Sequence, residues 1–163
     1  VLQIQSKEVL ICRMIADLLN PRGQHGAGAE YLKIFLRDCL GMEKMDTKLA
    51  DQAIVTAEYA IDDERRIDIV IEIGSYFLPI EVKIYAADQK SQCFDYYQYA
   101  KRRDAQAKVY YLTLDGHRPG KDSTSSGSQS VPEEDIVCLS FREHILNWLK
   151  ACKSCENTGM VPI

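Results

Sequence analysis

From Arg65 to Lys83 the chain alternates with a period of two on both sides of a Gly74-Ser75 pair, and this pattern constrains the fold most. Before the pair, Ile67, Ile69, Ile71 and Ile73 fall on one face and Arg66, Asp68, Val70 and Glu72 on the other. After it, Leu78, Ile80, Val82 and Ile84 are apolar, and Phe77, Pro79, Glu81 and Lys83 face the opposite way. Glycine at the first position of a two-residue loop fits a type II′ hairpin. That turn sets a register in which 73 faces 76, 70 faces 79, Asp68 faces Glu81 and Arg66 faces Lys83. Carboxylates opposed on neighbouring strands, ~4.5–5.5 Å apart at Cβ, destabilise a sheet. They are tolerated if they share a proton or share a cation. Mg2+ takes one or two carboxylates and completes its octahedron with waters and a phosphate oxygen, so it suits such a pair. Lys83, on the face of Glu81, reaches the same phosphate or the attacking water. The plainer alternative is a solvated face with Arg66–Asp68 and Glu81–Lys83 pairs, and helices on both faces of the sheet would leave little room for it.

The flanking sequence supplies those helices. Residues 6–19 predict a helix capped by Ser6, with Val9, Ile11, Ile15, Leu18 and Leu19 as its apolar face and Asn20-Pro21 as its stop. A glycine-rich turn over 22–28 leads to a second helix at 29–40, which buries Leu32, Phe35, Leu36 and Cys39 and ends at Gly41. Strands follow at 53–61, 66–73 and 76–84, then a helix at 88–103 opened by Asp88 and a strand at 107–114. Residues 116–132 are mostly Gly, Ser, Pro, Asp and Lys and predict a mobile surface loop. A short strand at 136–139 precedes the capping box Ser140-Phe141-Arg142-Glu143 and a last helix at 141–152 carrying Ile145, Leu146, Trp148 and Leu149. The order describes one α/β domain over 1–163, with a central mixed sheet flanked by helices.

Composition narrows the function classes. With 46% hydrophobic and 27% charged residues the chain buries a core, which excludes a disordered or fibrous protein. Twenty Lys and Arg against 24 Asp and Glu give a net charge of −4, so nucleic acid is not held by bulk charge and needs a local basic surface or a metal. No apolar run approaches the ~18 residues of a membrane span, and no signal peptide opens the sequence. Of six cysteines, Cys12, Cys39, Cys93 and Cys138 sit in apolar segments; Cys152 and Cys155 form a C-x-x-C without the second ligand pair a zinc site needs. A reduced, cytoplasmic protein is the expectation.

Asp68 followed by Glu81-Val82-Lys83 resembles the D-x(n)-(D/E)-x-K signature of the PD-(D/E)XK nuclease superfamily. Gln92-Cys93-Phe94-Asp95-Tyr96 is similar to the Q-x-x-x-Y motif on the following helix of its exonuclease-like branch. The element order resembles that family's restriction-endonuclease-like αβββαβ core over about residues 25–115, and the extra N- and C-terminal helices look like those of small prokaryotic members. Ile67 stands where the motif's proline would precede the acid. The resemblance implies metal-dependent hydrolysis of DNA, with Asp68 and Glu81 as ligands of Mg2+ or Mn2+ and Lys83 as the catalytic lysine. Gln92 and Tyr96, one turn apart on one helix face, would support the site or touch nucleic acid, and Gln89 and Tyr99 extend their stripe.

Further candidates are weaker. Glu30 lies in the first turn of the second helix, where some members carry an extra metal-site acid; complementing that helix's N-terminus is its other reading. Glu58 pairs with Asp68 if Asp62–Glu64 is a three-residue loop. His25, in a glycine-rich turn before a helix, suits a phosphate or a turn cap. Arg66 joins Lys90, Lys101, Arg102, Arg103, Arg118 and Lys121 as cations that a nucleic-acid backbone would need; read singly, 101–103 complement a helix C-terminus and the rest aid solubility. DNA is the implied partner, with RNA as the alternative phosphodiester and a partner protein as a source of specificity. The second function class is a catalytically inactive module of this fold that binds nucleic acid or protein.

Overall fold

The alternating runs build the centre of a five-stranded sheet. In the computed structural model, which describes residues 2–158, β1 (Ile54–Ala60), β2 (Arg66–Ile73) and β3 (Tyr76–Lys83) pair antiparallel, and β4 (Val109–Thr113) joins β3 in parallel. Two short strands, β5 (Ser125–Ser126) and β6 (Gln129–Ser130), form a separate ribbon, and β7 (Ile136–Ser140) lies parallel to β4 at the far edge. Pro79, which has no N–H to donate, lies in β3 just before the parallel ladder begins at Ile80↔Tyr110.

Helices cover both faces, as predicted. On one, α1 (Leu2–Leu19), α2 (Glu30–Asp38) and α6 (Leu146–Thr158) bring Cys12, Ile15, Leu19, Leu32, Phe35 and Trp148 onto Ile69, Ile71, Leu78, Ile80 and Val82. Trp148 is fully buried and donates its indole N–H to the Tyr31 carbonyl at 2.8 Å, which ties α6 to α2. A short α3 (Thr47–Ala50) leads into β1. On the opposite face α4 (Gln92–Lys101) sets Cys93, Phe94 and Tyr97 against Val109, Tyr111 and Ile136, and Tyr96 and Ala100 against Ile67, Val70 and Phe77. Among the described residues no helix is long and apolar enough to cross a membrane. Cys12, Cys39, Cys93, Cys138 and Cys152 are free thiols; burial pushes those of Cys39 and Cys93 up to about 12.

Several local expectations are corrected. Ser6 does not cap α1, which already runs from Leu2; its hydroxyl donates back to the Gln3 carbonyl. Asp88 does not open α4 either. Its carboxylate accepts from the Tyr111 hydroxyl at 2.6 Å and from the Gly120 N–H at 2.7 Å, so it ties β4 to the segment that follows. That segment is no featureless loop: it holds α5 (Lys121–Thr124) and the β5–β6 ribbon, with Ser123 and Val131 buried. The reason lies at the start of α4. Ser91 takes a left-handed conformation (φ 57°) and offers no side-chain cap, so Ser123 Oγ accepts the Cys93 N–H at 3.2 Å instead. Ser123→Ala leaves that N–H buried and unpaired; we expect a loss of about 1 kcal/mol and a melting temperature lower by roughly 2–4 °C, measured by circular dichroism. At the last helix Ser140 Oγ accepts the Glu143 N–H, but the Ser140 N–H goes to His144 Nδ1 at 3.0 Å, because one wide π-type turn (Phe141–Ile145) precedes α6.

Candidate active site

The hairpin turns where the sequence places it. Gly74 adopts φ 56°, and a Cβ there would also stand 3.2 Å from Leu49 Cδ1. A two-residue loop makes 73/76, 71/78, 69/80 and 67/82 the hydrogen-bonding pairs. The observed register follows this as far as Ile69↔Ile80 and stops. The Val82 N–H, which the register offers to the β2 main chain, is taken by Asp68 Oδ2 at 2.7 Å. The β1–β2 ladder breaks at the same level: Ala57 faces Ile69 and Tyr59 faces Ile67, while Glu58 between them has φ 54° and makes no pair with Asp68.

Both strands change faces across this break. Ile67 and Tyr59 pack toward α4 with Val70 and Phe77, opposite Ile69, Ile71 and Ala57. The single isoleucine face expected from Ile67 to Ile73 is therefore corrected at its first residue. The Asp68/Glu81 and Arg66/Lys83 cross-strand pairs are corrected too, since a carboxylate has displaced the ladder and the strands part there. Parting opens a cleft of about 310 Å³ at this end of the sheet. Asp68, Glu81 and Lys83 all line it, with Arg66, Gln92 and Tyr96.

The electrostatics of this end are unusual for a strand. Glu81 is 1% exposed and Lys83 8%, and Lys83 Nζ stands 3.0 Å from Glu81 Oε1. Burial, then the neighbouring Asp68 charge, push the Glu81 carboxyl well above its ordinary range, and Lys83 only partly offsets this. Burial likewise raises Asp68 against the opposing pull of the Val82 N–H and Lys83. Burial alone would lower the Lys83 ammonium, but the carboxylate of Glu81 outweighs it and holds the group charged.

On α4 the two motif residues lock each other. The Tyr96 hydroxyl donates to the Arg66 carbonyl at 2.5 Å, so its oxygen accepts from Gln92 Nε2 at 3.1 Å. That orientation turns the Gln92 carbonyl away from tyrosine. Gln92 Oε1 and Glu81 Oε2 are both buried without a hydrogen-bond partner, on residues that line the cleft. The carboxyls of Asp68 and Glu81, with the Gln92 carbonyl lining the same cleft, are an oxygen donor set for a hard divalent cation, which commonly takes only one or two carboxylates when it is Mg2+. The residues present fit that ion, although among the described residues no cluster of three or more His, Cys, Asp and Glu side chains is placed to hold a metal.

The remaining candidates divide. Ile61 N–H donates to the Arg65 carbonyl at 3.0 Å and closes the three-residue Asp62–Glu64 loop, which sets Glu58 level with Asp68 as expected. Its backbone then turns left-handed, and its carboxylate, though at the cleft, pairs with Arg13 at 2.6 Å. Gln89 also lines the cleft and accepts from Arg65 at 3.0 Å. Glu30 is not brought to the cleft: it pairs with Lys33 at 3.0 Å beside a separate groove lined by Met42 and Met45. His25 is also elsewhere, its ring nitrogens engaged by the Ala27 N–H and the Asn20 carbonyl, each at 3.0 Å, and its ring 4.7 Å from that of Tyr31.

Two acids that line the cleft, the loop residue Glu64 and Glu8 on α1, were missed by the sequence reading. Glu8 Oε1 accepts the N–H groups of Ile84, Tyr85 and Ala86 at 2.8, 2.7 and 3.1 Å. For Glu8 the signal was present. Cys12, Ile15, Ala16 and Leu19 are the buried stripe of α1, and positions 8 and 5 continue that stripe with Glu and Gln. Burial alone would raise the Glu8 carboxyl, yet these three N–H groups and the Lys83 charge hold it below its ordinary value of 4.5. The stability Glu8 adds is therefore fully present above the unfolded value and disappears as pH falls through the lower folded one. We expect Glu8→Gln to melt lower than wild type at pH 7 and the difference to close as pH falls through the lowered folded value, followed by circular dichroism across a pH series.

The sequence matches the PD-(D/E)XK nuclease superfamily over residues 1–160, and the chain belongs to that family. Its helix-flanked mixed sheet agrees with this membership. No curated protein and no solved structure matches the chain.

Proposed function

We propose that this protein hydrolyses phosphodiester bonds of DNA with Mg2+ or Mn2+ bound between Asp68 and Glu81, as a member of the exonuclease-like branch. The observation that carries the reading is the buried Glu81–Lys83 pair with half-buried Asp68 on the same cleft, Glu81 Oε2 being left unpaired. Two carboxyls set together in and beside a core weaken a fold unless something uses them. Asp68 and Glu81 would hold the ion, with Gln92 Oε1 beside them. The ion supplies positive charge at the phosphoryl oxygens and a water of lowered pKa. Lys83, kept charged by Glu81, stabilises negative charge that develops on the phosphoryl group during attack. Tyr96 and Gln92 fix the β2 end of the site through the Arg66 carbonyl. The free thiols of Cys12, Cys39, Cys93, Cys138 and Cys152 suit a reducing, cytoplasmic setting.

The test is cleavage of linear, circular and single-stranded DNA, and of RNA, with Mg2+ or Mn2+ beside a Lys83→Ala control. Metal-dependent cutting of DNA that the control lacks is expected, and cutting of the circle would define an endonuclease. Equal inertness of wild type and control on every substrate would sink the catalytic reading in favour of a binding module.

A further inference from the structure

The α4 stripe that begins in the cleft does not end there. Gln92, Tyr96 and Tyr99 follow at helical spacing on α4, and Arg103 lies in the turn just past its end, so one line leads from the cleft to an exposed end about 15 Å away, the length of the helix at 1.5 Å per residue. At that end Arg103 lies over the Tyr99 ring, its guanidinium carbon 3.7 Å from the ring centroid. Tyr99 is held in turn by the Tyr59 hydroxyl, 3.1 Å from its own, and by edge-on or tilted contacts with Tyr59 and Phe77. Arg102 stands beside the same ring at 5.8 Å. Arg102 and Arg103 are exposed, and among the described residues neither has a carboxylate within ion-pair distance, whereas Arg13, Arg37 and Arg65 each do.

Complementing the helix C-terminus explains the presence of charge at 101–103. It does not explain an arginine whose guanidinium carbon sits 3.7 Å over a tyrosine ring that is itself braced by Tyr59 and Phe77. A guanidinium held this way keeps its N–H edge for a phosphate oxygen and its outer face for a planar partner. Along a nucleic acid an unpaired base offers such a face, whereas bases within a duplex are covered by their neighbours everywhere but at its ends.

We propose that Arg103 on Tyr99, with Arg102 beside it, forms a subsite for an unpaired nucleotide that flanks the phosphodiester in the cleft. The base stacks on the Arg103 guanidinium, and its phosphate meets the free N–H groups of the two arginines. This rests on the cleft being a phosphodiester site, and it makes a single-stranded segment the favoured substrate. In a chain of net charge −4 the attraction is local, so it is sensitive to salt and to single residues.

The test is binding of a fluorescein-labelled single-stranded DNA 20-mer to the metal-free protein in EDTA, followed by anisotropy across a salt series. Arg103→Ala is expected to weaken single-strand binding about tenfold and to make the log K against log salt slope shallower by roughly 0.7 per lost phosphate contact. Arg103→Lys should restore the slope without restoring the affinity, and a blunt duplex should lose much less than the single strand. Binding of wild type and Arg103→Ala that agrees in affinity and slope overturns the subsite, as does an equal loss on single strand and duplex, or no binding by wild type. If nothing is cut in the cleavage test yet single-strand binding depends on Arg103, the subsite stands and hydrolysis falls. If DNA is cut and Arg103→Ala binds and cuts as wild type does, the subsite alone falls.

Discussion

Replacing Lys83 with methionine is expected to lower kcat for phosphodiester cleavage by about 10²–10³-fold while leaving KM within a few-fold. The ammonium is buried, 3.0 Å from Glu81 Oε1, and held charged by that neighbour, so it is a fixed point of positive potential beside the phosphate site. Interactions that strengthen as charge develops lower the barrier; those equal in ground and transition states change KM alone. Methionine keeps most of the stem and removes the charge. Without its cation the Glu81 carboxyl protonates rather than remaining an isolated buried charge, so the fold survives and the loss reads on catalysis. Lys83→Arg is expected to rescue little, because a planar, forked guanidinium does not fit where a compact ammonium is enclosed. A Lys83→Met protein with wild-type kcat at saturating Mn2+ would remove lysine from the mechanism.

The second large effect is on stability, with the opposite sign. Glu81→Gln should raise the melting temperature of the metal-free protein and abolish its further rise on adding Mn2+ or Mg2+. Burial and the Asp68 charge raise the folded pKa of Glu81 above its unfolded one, so the folded state binds the extra proton. By linkage, stability then falls as pH rises from the unfolded pKa toward the folded one. Glutamine keeps the acceptor toward Lys83 and removes the penalty; the gain is on the order of 1–3 kcal/mol near pH 7 and vanishes in acid, where both carboxyls are protonated in either state. A chain of this size gains about 2–4 °C per kcal/mol. Differential scanning calorimetry at pH 4 and pH 7, with and without metal, reads all of this. A Glu81→Gln protein that melts below wild type at pH 7 would mean that Glu81 stabilises the fold rather than straining it.

Much of the sheet was legible because its signals are local. Period-two alternation and one glycine set the β2–β3 register, and it holds for five pairs, from Ile73↔Tyr76 to Ile69↔Ile80. The sequence could not show where that register stops, because the break depends on Asp68 competing for the Val82 N–H, a contact across strands. Parity beyond the break was lost with it, which is why Ile67 was assigned to the wrong face. Glu58 illustrates the same limit: its level was predictable from the loop length, its left-handed backbone and its pairing with Arg13 were not. The 116–132 segment reads as loop by composition, yet Ser123 is buried because α4 lacks a cap of its own. Glu8 was legible in principle, as an acid on a core stripe, but that stripe was read only from Val9 onward.

The claim on which the account turns is that the Asp68–Glu81 pair, whose carboxyls burial raises, gives up a proton on taking a divalent cation. Calorimetric titration of wild type with Mn2+ near pH 6, in two buffers of different ionisation enthalpy, counts that proton directly. The account predicts one bound ion with release of about one proton, and loss of both in Glu81→Gln. Binding without proton release, or binding that survives unchanged in Glu81→Gln, would contradict it.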